Sequence, residues 1–443
     1  MQLQSLGAAQ TVTGSKHILK TSVGDVLIDC GLFQGLGAKN PAQVPEELSK
    51  ISAIVLTHGH LDHCGYIPKL VKHGFHGPIF STLQTGEIAK LIMSDNAKIQ
   101  AEQNRKKNKK IVKESEKSKP LYDLNDVAQT IPLFEFHQWG ETFSWKGLRI
   151  TLESAGHILG ASSVKIEDND KSIIFSGDLG RYTDPIMPDP KGFSSADAVV
   201  MECTYGDRNH DRSHTPESDL INVLKNAKKK SSSILIPAFS VARSQNIMFY
   251  LAHIFNKNKD LKVPVYVDSA LTLAVTKLYE NFNDFHKITK EDFASIHRHM
   301  TFIEFESQRE RLEKDSGSKI ILTASGMLTG GRSPYYLKHL GEDKNNILMI
   351  VGYQAEGTLG RKIVDGERVF QDGDDKLKWL GEVYIAKSFS SHADQVELLK
   401  WRSQILGLKK TFLVHGEQRS LEQMQNLIGP SAVIVDEQQC YSL

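Results

Sequence analysis

The chain has 443 residues, of which 40% are hydrophobic, 24% charged and 8% aromatic, and its formal net charge is +1. This length predicts two or three domains of ordinary globular composition, and the near-zero charge excludes a polycation, so any nucleic-acid binding has to come from a local groove. The sequence shows neither a signal-peptide pattern nor the ~18 consecutive apolar residues that span a membrane. Four scattered cysteines without a C-x-x-C pair are typical of reduced packing residues, and these features together predict a cytoplasmic protein.

The amino-terminal region predicts a hairpin of two strands at residues 17–20 and 25–29. The second strand ends at Asp29, shortly before a glycine. A turn explains an aspartate at this position as well as a functional carboxylate does, so both interpretations stay open on this residue alone.

A histidine-rich loop follows the buried strand predicted at residues 51–56 and contains His58, His60, Asp62 and His63. Loops at the carboxyl ends of strands are where α/β proteins place ligands. The first two histidines can face one side of an extended chain, whereas the other two residues follow as the chain turns into a helix. Imidazole and carboxylate groups suit zinc, and ligands pointing in two directions indicate two adjacent metal ions. The alternative is a solvated loop without metal, which so dense a cluster makes a poor explanation.

A long helix is predicted over residues 84–104, and it runs into a basic tract from Arg105 to Lys119. Such a tract could steer a polyanion. It could equally be a solvated helix end, helped by Glu114 and Glu116, and we favour this second interpretation because charge runs are commonly solvating.

Strands resume in the middle of the chain and carry single polar residues at their ends. The strand patterns lie at residues 148–152, 162–166, 172–175 and 198–201. His157 and Asp178 each stand between glycines in a loop after a strand, and Glu202 ends the last strand. This first half predicts stacked sheets flanked by helices.

From about residue 206 the pattern changes to helices alternating with buried strands, which predicts βαβ units and a parallel sheet. Glycine-rich turns at residues 324–332 and 352–361 fit neither the dinucleotide-binding nor the P-loop pattern. Their backbone amides could cradle phosphate, with Arg332 and Arg361 supplying charge, or they could be sharp turns after strands. The residues alone do not decide between these two interpretations.

Past residue 380 the strand-then-histidine pattern returns twice, at His392 and His415. We therefore expect the tail to rejoin the first domain. The predicted divisions are 1–205 for the first part of that domain, 206–380 for an inserted domain and 381–443 for the return segment.

Taken together, these motifs resemble the metallo-β-lactamase superfamily and, within it, the β-CASP branch of RNA-processing nucleases, which includes bacterial relatives of the messenger-RNA 3′-end cleavage factor. The motif positions that carry the resemblance are, in chain order, Asp29, then His58, His60, Asp62 and His63, then His157, Asp178, Glu202, His392 and His415. The resemblance extends over the whole chain, and the order of the motifs makes coincidence implausible.

The resemblance implies an α/β fold, namely an αββα sandwich with an inserted parallel-sheet β-CASP domain and two Zn²⁺ ions. It implies His58, His60 and His157 on one zinc, Asp62, His63 and His415 on the other, and Asp178 between them. Asp29 would orient a ligating histidine through the free ring nitrogen of that histidine. His415 points to RNA, since DNA-acting relatives typically carry an apolar residue there.

The implied activity is hydrolysis of single-stranded RNA by two metals, with internal cutting favoured and 5′–3′ exonucleolytic cutting an alternative. His392, oriented by Glu202, is expected to protonate the leaving group. Asp62 is counted with the catalytic residues as well as with the ligands, and Ser390 and Ser391 are expected to hold a phosphate oxygen.

Three further possibilities remain open from the sequence. The chain could hydrolyse another ester or DNA on the same metals, because a fold does not fix a substrate. It could be a catalytically silent RNA-binding scaffold, although every ligand position is occupied. It could also act as a homodimer.

Overall fold

The computed structural model describes residues 1–35, 40, 43–109, 111, 113, 117–315, 317–372 and 375–443. The chain divides into two compact units. The first comprises Met1–Gln34, Ala38–Asn209 and His392–Leu443, and the second comprises Gly35–Gly37 and His210–Ser391. In the described part of the chain, no helix combines the length and apolarity that a membrane crossing requires.

The described residues form runs of strands up to β11, and strands that largely alternate with helices after it. The strands are β1 (Gln2–Gly7), β2 (Lys16–Thr21), β3 (Gly24–Ile28), β4 (Ile51–Val55), β5 (Ile79–Ser81), β6 (Phe134–Phe136), β7 (Thr142–Trp145), β8 (Leu148–Ser154), β9 (Ser162–Asp168), β10 (Lys171–Phe175), β11 (Ala198–Glu202), β12 (Ile234–Pro237), β13 (Val265–Asp268), β14 (Met300–Phe302), β15 (Ile320–Thr323), β16 (Ile347–Ile350), β17 (Val369–Asp372), β18 (Asp375–Lys378), β19 (Glu382–Ile385), β20 (Lys410–Val414), β21 (Ala432–Ile434) and β22 (Cys440–Ser442). The helices are α1 (Leu61–Cys64), α2 (Ile67–Lys72), α3 (Leu83–Asn108), α4 (Leu124–Thr130), α5 (Pro216–Lys230), α6 (Arg243–Lys257), α7 (Ala270–Asn281), α8 (Lys290–His299), α9 (Glu306–Lys314), α10 (Ser333–Leu340), α11 (Leu359–Val364), α12 (Gln395–Ser403) and α13 (Gln418–Ile428).

The first unit is a sandwich of two seven-stranded sheets, in the orders β22-β1-β2-β3-β4-β5-β6 and β21-β20-β11-β10-β9-β8-β7. Strands such as β8, with the burial alternation of a half-buried strand, turn one face toward the partner sheet. One core lies between the sheets and includes Val55, Ile150 and Phe412. A second core lies under the helices outside the first sheet and includes Ile67, Ala89 and Val127. The predicted stacked sheets flanked by helices are therefore confirmed.

The second unit is built around a six-stranded parallel sheet in the order β14-β13-β15-β12-β16-β19. Buried apolar strands such as β15 and β16 alternate with amphipathic helices, as a sheet covered on both faces requires. The predicted βαβ insertion is thus confirmed as a fold.

The second compact unit extends to Ser391 and includes the strand predicted at the start of the return segment. Strand β19 pairs in parallel with β16, from Ile347 opposite Glu382 to Ile350 opposite Ile385, and so belongs to the second unit. The chain rejoins the first unit at His392, where that residue bridges Gly180. The predicted strand is present, but its partner is non-local in sequence.

Candidate metal centre

Seven side chains converge in the first unit as two groups of metal-ligating atoms. The first group is His58, His60, His157 and Asp178, and the second is Asp62, His63 and His415. Within each group the ligand atoms all lie within 4.8 Å of one another. All seven residues that the sequence singles out as ligands are therefore neighbours in space.

The topology explains why residues so distant in sequence meet. Strands β10, β11 and β20 are parallel neighbours, so their carboxyl ends share one edge of the second sheet. Asp178 follows β10, Glu202 ends β11, and His415 directly follows β20. Across the sandwich, His58 and His60 follow β4, and helix α1 begins immediately afterwards.

The residue before β2 and the segment after β3 both pack against the histidine-rich loop through backbone hydrogen bonds. Ser15 donates its amide to the Asp62 carbonyl at 2.8 Å, and Cys30 donates its amide to the His63 carbonyl at 2.7 Å. A Cβ atom added at Gly31 would lie 1.5 Å from the Asp62 carbonyl oxygen. Only glycine fits there, so the glycine that seemed a simple turn signal also permits this close approach.

Asp178 spans the two groups through its two carboxylate oxygens. Its Oδ2 lies 3.4 Å from Nε2 of His58 and 3.7 Å from Nε2 of His157. Its Oδ1 lies 3.4 Å from Nε2 of His63 and 3.8 Å from Nε2 of His415. Each oxygen therefore faces a different group, which is the arrangement that a carboxylate shared between two ions needs.

Three buried atoms of this cluster test whether the residues fit a metal. Nε2 of His63, Oδ1 of Asp178 and Nε2 of His415 have no hydrogen-bond partner among the described residues. Buried polar atoms are rarely left unsatisfied, because desolvation without a partner is costly. Imidazole nitrogens and carboxylate oxygens are a donor set for a divalent transition metal, so the residues fit such a group.

Hydrogen bonds to the outer ring nitrogens fix three of the histidines. Oδ2 of Asp29 lies 2.7 Å from Nδ1 of His63, the contact expected from the sequence. The Thr57 hydroxyl donates to the same Oδ2 at 2.8 Å and lies 3.0 Å from Nδ1 of His58. An Nδ1–H directed to these acceptors leaves Nε2 with a lone pair directed to the group of ligands.

A second threonine performs the same task for the last ligand. The Thr204 hydroxyl oxygen lies 3.1 Å from Nδ1 of His415. Sequence reasoning missed both Thr57 and Thr204, although each stands within two residues of a singled-out position. A hydroxyl has no distinctive spacing, so only adjacency to these positions could have drawn attention to them.

The pKa values of the histidines in the cluster are shifted in different directions. Burial and the neighbouring His63 hold the pKa of His58 well below its usual range, and burial lowers that of His60 to about 4. Burial also acts on His63, but the carboxylates of Asp178 and Asp29 outweigh it and raise its pKa well above the usual range. Ligand groups that hold protons in the metal-free protein make metal binding compete with protons.

Asp178 shows the opposite direction of shift. Burial alone would raise its pKa, but the nearby His415, His63 and His58 hold it well below the usual range. Asp178 therefore stays an anion among buried imidazoles, as a carboxylate ligand must.

His392 and Glu202 form a pair beside the first group. Nδ1 of His392 lies 3.2 Å from Oε1 of Glu202, which also accepts the Leu179 amide at 2.7 Å. Glu202 is 1% exposed, whereas the His392 side chain is 21% exposed and so reaches solvent. Burial lowers the pKa of His392, but the Glu202 carboxylate outweighs burial and raises the pKa above its usual value. The ring centroid of His392 is 4.5 Å from that of His157.

A small cavity of about 20 Å³ lies beneath the ligands and is lined in part by His17, Ser176 and Asp178. This volume suffices for one water molecule. His17 lies between two hydroxyls, with Nδ1 2.8 Å from Ser5 Oγ and Nε2 3.2 Å from Ser15 Oγ. Burial lowers the pKa of His17 to about 3, so it is a neutral structural histidine.

The predicted substrate contacts lie in the second unit and are not all equally available. Arg332 is exposed just before α10, whereas the Arg361 guanidinium is paired with Asp365, with Nε 2.9 Å from each carboxylate oxygen. The two glycine-rich turns that carry these arginines pack together through the Gly360 amide and the Met327 carbonyl at 3.1 Å. Ser390 and Ser391 follow β19, whose carboxyl end lies at the same edge of the parallel sheet.

Three families match consecutive parts of the chain. Residues 19–238 match the family described as "Metallo-beta-lactamase superfamily". Residues 244–363 match the "Beta-Casp domain", and residues 381–434 match the "Zn-dependent metallo-hydrolase RNA specificity domain".

Several curated proteins are similar along almost the whole chain. "Ribonuclease TTHA0252" of Thermus thermophilus is 30% identical over 97% of this chain and 96% of its own length. "Transcription termination factor FttA" of Methanothermobacter thermautotrophicus is 31% identical over 94% of this chain and 67% of its own length. "RNase aCSPSF2" of Saccharolobus solfataricus is 28% identical over 96% of this chain and 81% of its own length.

A solved structure shares the fold. It is the crystal structure of a protein of unknown function from Enterococcus faecalis, with a TM-score of 0.55. It is 12% identical, and the alignment covers 100% of this chain and 99% of that chain. At this identity the likeness extends to the fold alone.

Proposed function

Because this chain belongs to the metallo-β-lactamase superfamily and to its β-CASP branch, we propose that it is a zinc-dependent ribonuclease that hydrolyses phosphodiester bonds of single-stranded RNA. Three sources support the substrate: the relatives named as ribonucleases, the match of residues 381–434 to an RNA specificity domain, and the histidine at position 415. We propose internal cutting as the main mode, with 5′–3′ exonucleolytic cutting as the alternative and a homodimer as a possible assembly.

The observation that carries the proposal is the position of Asp178 between two groups of histidines. Its two oxygens face different groups at 3.4 Å, and three buried atoms there lack a hydrogen-bond partner among the described residues. His58, His60 and His157 would hold one zinc, Asp62, His63 and His415 would hold the other, and Asp178 would contact both. Bound zinc supplies a Lewis acid that activates water and neutralises charge on the phosphate.

The chain's own residues prepare the ligands for this chemistry. Asp29 and Thr57 hold the Nδ1 atoms of His63 and His58, so that both Nε2 atoms point inward. We also count Asp62 with the catalytic residues; it lies in the first turn of α1, and its Oδ2 is 3.9 Å from Nε2 of His415.

We assign protonation of the leaving 3′-oxygen to His392. Its Nδ1 lies 3.2 Å from Oε1 of the buried Glu202, whose carboxylate raises the pKa of the ring, and part of the side chain reaches solvent. A general acid of this kind typically contributes 10²–10⁴-fold to the rate. Products would then carry 5′-phosphate and 3′-hydroxyl ends. Ser390, Ser391, Arg332 and Arg361 are proposed phosphate contacts, with Arg361 requiring its Asp365 pair to rearrange.

A cleavage assay on end-labelled substrates tests the proposal. The purified protein with zinc is incubated with single-stranded RNA labelled at either end and with DNA of the same sequence. Internal fragments from RNA alone are expected. Processive shortening from the 5′ end would show that the protein is an exonuclease. Cutting of DNA would show that the substrate is not RNA alone.

Matched variants separate the proposed roles. Asp178→Ala is expected to lose zinc and activity together, and His392→Ala is expected to keep zinc and lose about 10²-fold or more in kcat. His76→Ala, at an exposed histidine that is not among the proposed ligands, serves as the control and should match the wild type. Wild-type turnover by His392→Ala would contradict the acid role. If the zinc-bound protein hydrolyses a small ester but not RNA, the proposed ribonuclease activity is wrong. If the protein binds no stoichiometric zinc, the result favours the alternative of an RNA-binding scaffold.

A further inference from the structure

Helix α3 carries a concentration of positive charge that the proposed chemistry does not use. Residues 98–119 contain nine Lys or Arg residues and three Glu residues, a net of +6, so the rest of the chain carries −5 within its total of +1. Lys110, Glu114 and Glu116 of this tract lie outside the described residues, and the inference rests on α3 and Lys109 alone.

Three of these cations line up on one face of the helix. Lys98, Arg105 and Lys109 are spaced by seven and four residues, which places them within about 40° of one another at 100° per residue. All three side chains are exposed, and Lys98 acts electrostatically on Asp95. Lys106 is different, because it pairs with Glu102 at 2.8 Å. We call Lys98, Arg105 and Lys109 the α3 stripe.

The other end of α3 is fixed to the ligand loops. Thr82 caps the helix, and its hydroxyl and that of Thr85 both donate to the Gly160 carbonyl at 2.8 Å, in the loop that carries His157. A Cβ at Gly59, between two ligand histidines, would lie 2.5 Å from Cγ2 of Ile88, so helix and loop are in close contact. The stripe therefore lies on a helix whose amino-terminal part contacts the candidate metal centre.

The length of α3 sets the distance between the candidate metal centre and the stripe. At about 1.5 Å per residue, Lys98 lies about 15 Å along the axis from Ile88, and Lys109 lies about 32 Å from it. A stacked single strand advances about 3.4 Å per phosphate, so roughly nine nucleotides would span the full distance. A substrate cut at the centre could thus contact the stripe only with nucleotides distant from the scissile bond.

We propose that the α3 stripe is a second binding surface for the RNA substrate, which contacts phosphates remote from the cut and favours long substrates. This rests on the proposed ribonuclease function and adds to it a site outside the catalytic centre. Helix-terminal cations also stabilise a helix through its dipole, but that effect fades within the last turn, and Lys98 lies more than two turns before the end. Exposed cations in a row match the regular charges of a nucleic-acid strand.

The test compares kcat/KM on an unstructured RNA of about 30 nucleotides with that on one of four nucleotides, which is too short to reach the stripe. The variant K98Q/R105Q/K109Q is expected to lose about tenfold on the long RNA and nothing on the short one. Its loss should shrink as KCl rises, since each phosphate contact contributes about 0.7 to the salt slope of single-strand binding. The control K225Q/K229Q/K259Q removes three exposed lysines of the second unit and should leave the length preference intact.

The proposal would be overturned if the triple variant lost kcat/KM equally on both RNAs, if it lost none on either, or if the control variant lost as much. The charge-conserving K98R/R105K/K109R should keep the wild-type preference, and R105Q alone serves if the triple variant melts early. Anisotropy of the labelled long RNA with chelator-treated full-length protein measures binding without cleavage. If the wild type cuts neither RNA, the ribonuclease proposal fails, while weakened binding by the triple variant still supports the stripe and unchanged binding rejects it.

Discussion

Replacing Asp29 by Asn tests whether one carboxylate sets the protonation of a metal ligand. Asp29 adopts φ +60°, a left-handed conformation that Asn tolerates, so the backbone is spared. Its Oδ1 accepts the Thr57 amide at 2.8 Å, and its Oδ2 accepts from His63 Nδ1 and the Thr57 hydroxyl. Asn has one acceptor oxygen, so an NH₂ group must face one of these donors. When it faces His63, Nδ1 becomes an acceptor, and the proton moves to Nε2, where zinc would bind.

The expected effect of Asp29→Asn is a 10–100-fold weaker affinity for one of the two proposed zinc ions. This corresponds to about 1.4–2.7 kcal/mol, at 1.36 kcal/mol per tenfold. Because the contact is to His63, the ion among Asp62, His63 and His415 should be lost first. At intermediate free zinc, the protein should hold one ion where the wild type holds two.

Dialysis against zinc buffers of graded free concentration, followed by elemental analysis, measures this loss. Nitrogen NMR of the zinc-loaded protein, in which His63 holds a single ring proton, reports which nitrogen carries it. Thr57→Val is the matched comparison, since it removes a neutral hydroxyl that contacts His58 and should affect the other ion more weakly. Two ions bound to Asp29→Asn with wild-type affinity, or an unchanged His63 tautomer, would refute the reasoning.

Two predictions concern stability. Burial lowers the pKa of Lys16 to about 8, so between pH ~8 and ~10.4 the unfolded chain binds more protons than the folded one. The free energy of unfolding should therefore rise with pH over this range, by up to ~3 kcal/mol. Urea titrations at pH 8, 9 and 10 should show a smaller rise for Lys16→Met, and an unchanged rise would contradict the prediction. Arg309→Met leaves the buried Asp268 carboxylate with the Tyr336 hydroxyl at 2.8 Å but without its cation, and should cost about 3–5 kcal/mol. Faster hydrogen exchange confined to the second unit would show this cost, and unchanged exchange would refute it.

The positions of the candidate ligands were predictable because each one is marked locally. A buried apolar run ends, a loop begins, and a single histidine or carboxylate follows, as at Asp178 after β10 and His415 after β20. The direction of the strands then brings these residues together, since parallel neighbouring strands have their carboxyl ends at one edge of the sheet. The sandwich and the parallel insertion were predictable for the same reason, because their strands differ in burial pattern.

The features that were missed depend on non-local partners. Strand β19 was predicted, but nothing in Glu382–Ile385 indicates that it pairs with β16. Three-residue strands such as β5 and β14 are too short to show a period. Thr57 and Thr204 act through a hydroxyl, and their partners emerge only when the loops meet in space.

The placement of His415 on the return segment has a consequence for synthesis. His58 and His415 are separated by most of the chain, and β20, which presents His415, pairs with β11, made some 200 residues earlier. The proposed second zinc therefore has no complete ligand set until residue 415 has been translated and its strand has inserted beside β11. A nascent chain shorter than this would be unable to cut the messenger from which it is being read, so the order of the proposed ligands along the chain delays the activity until residue 415 has left the ribosome.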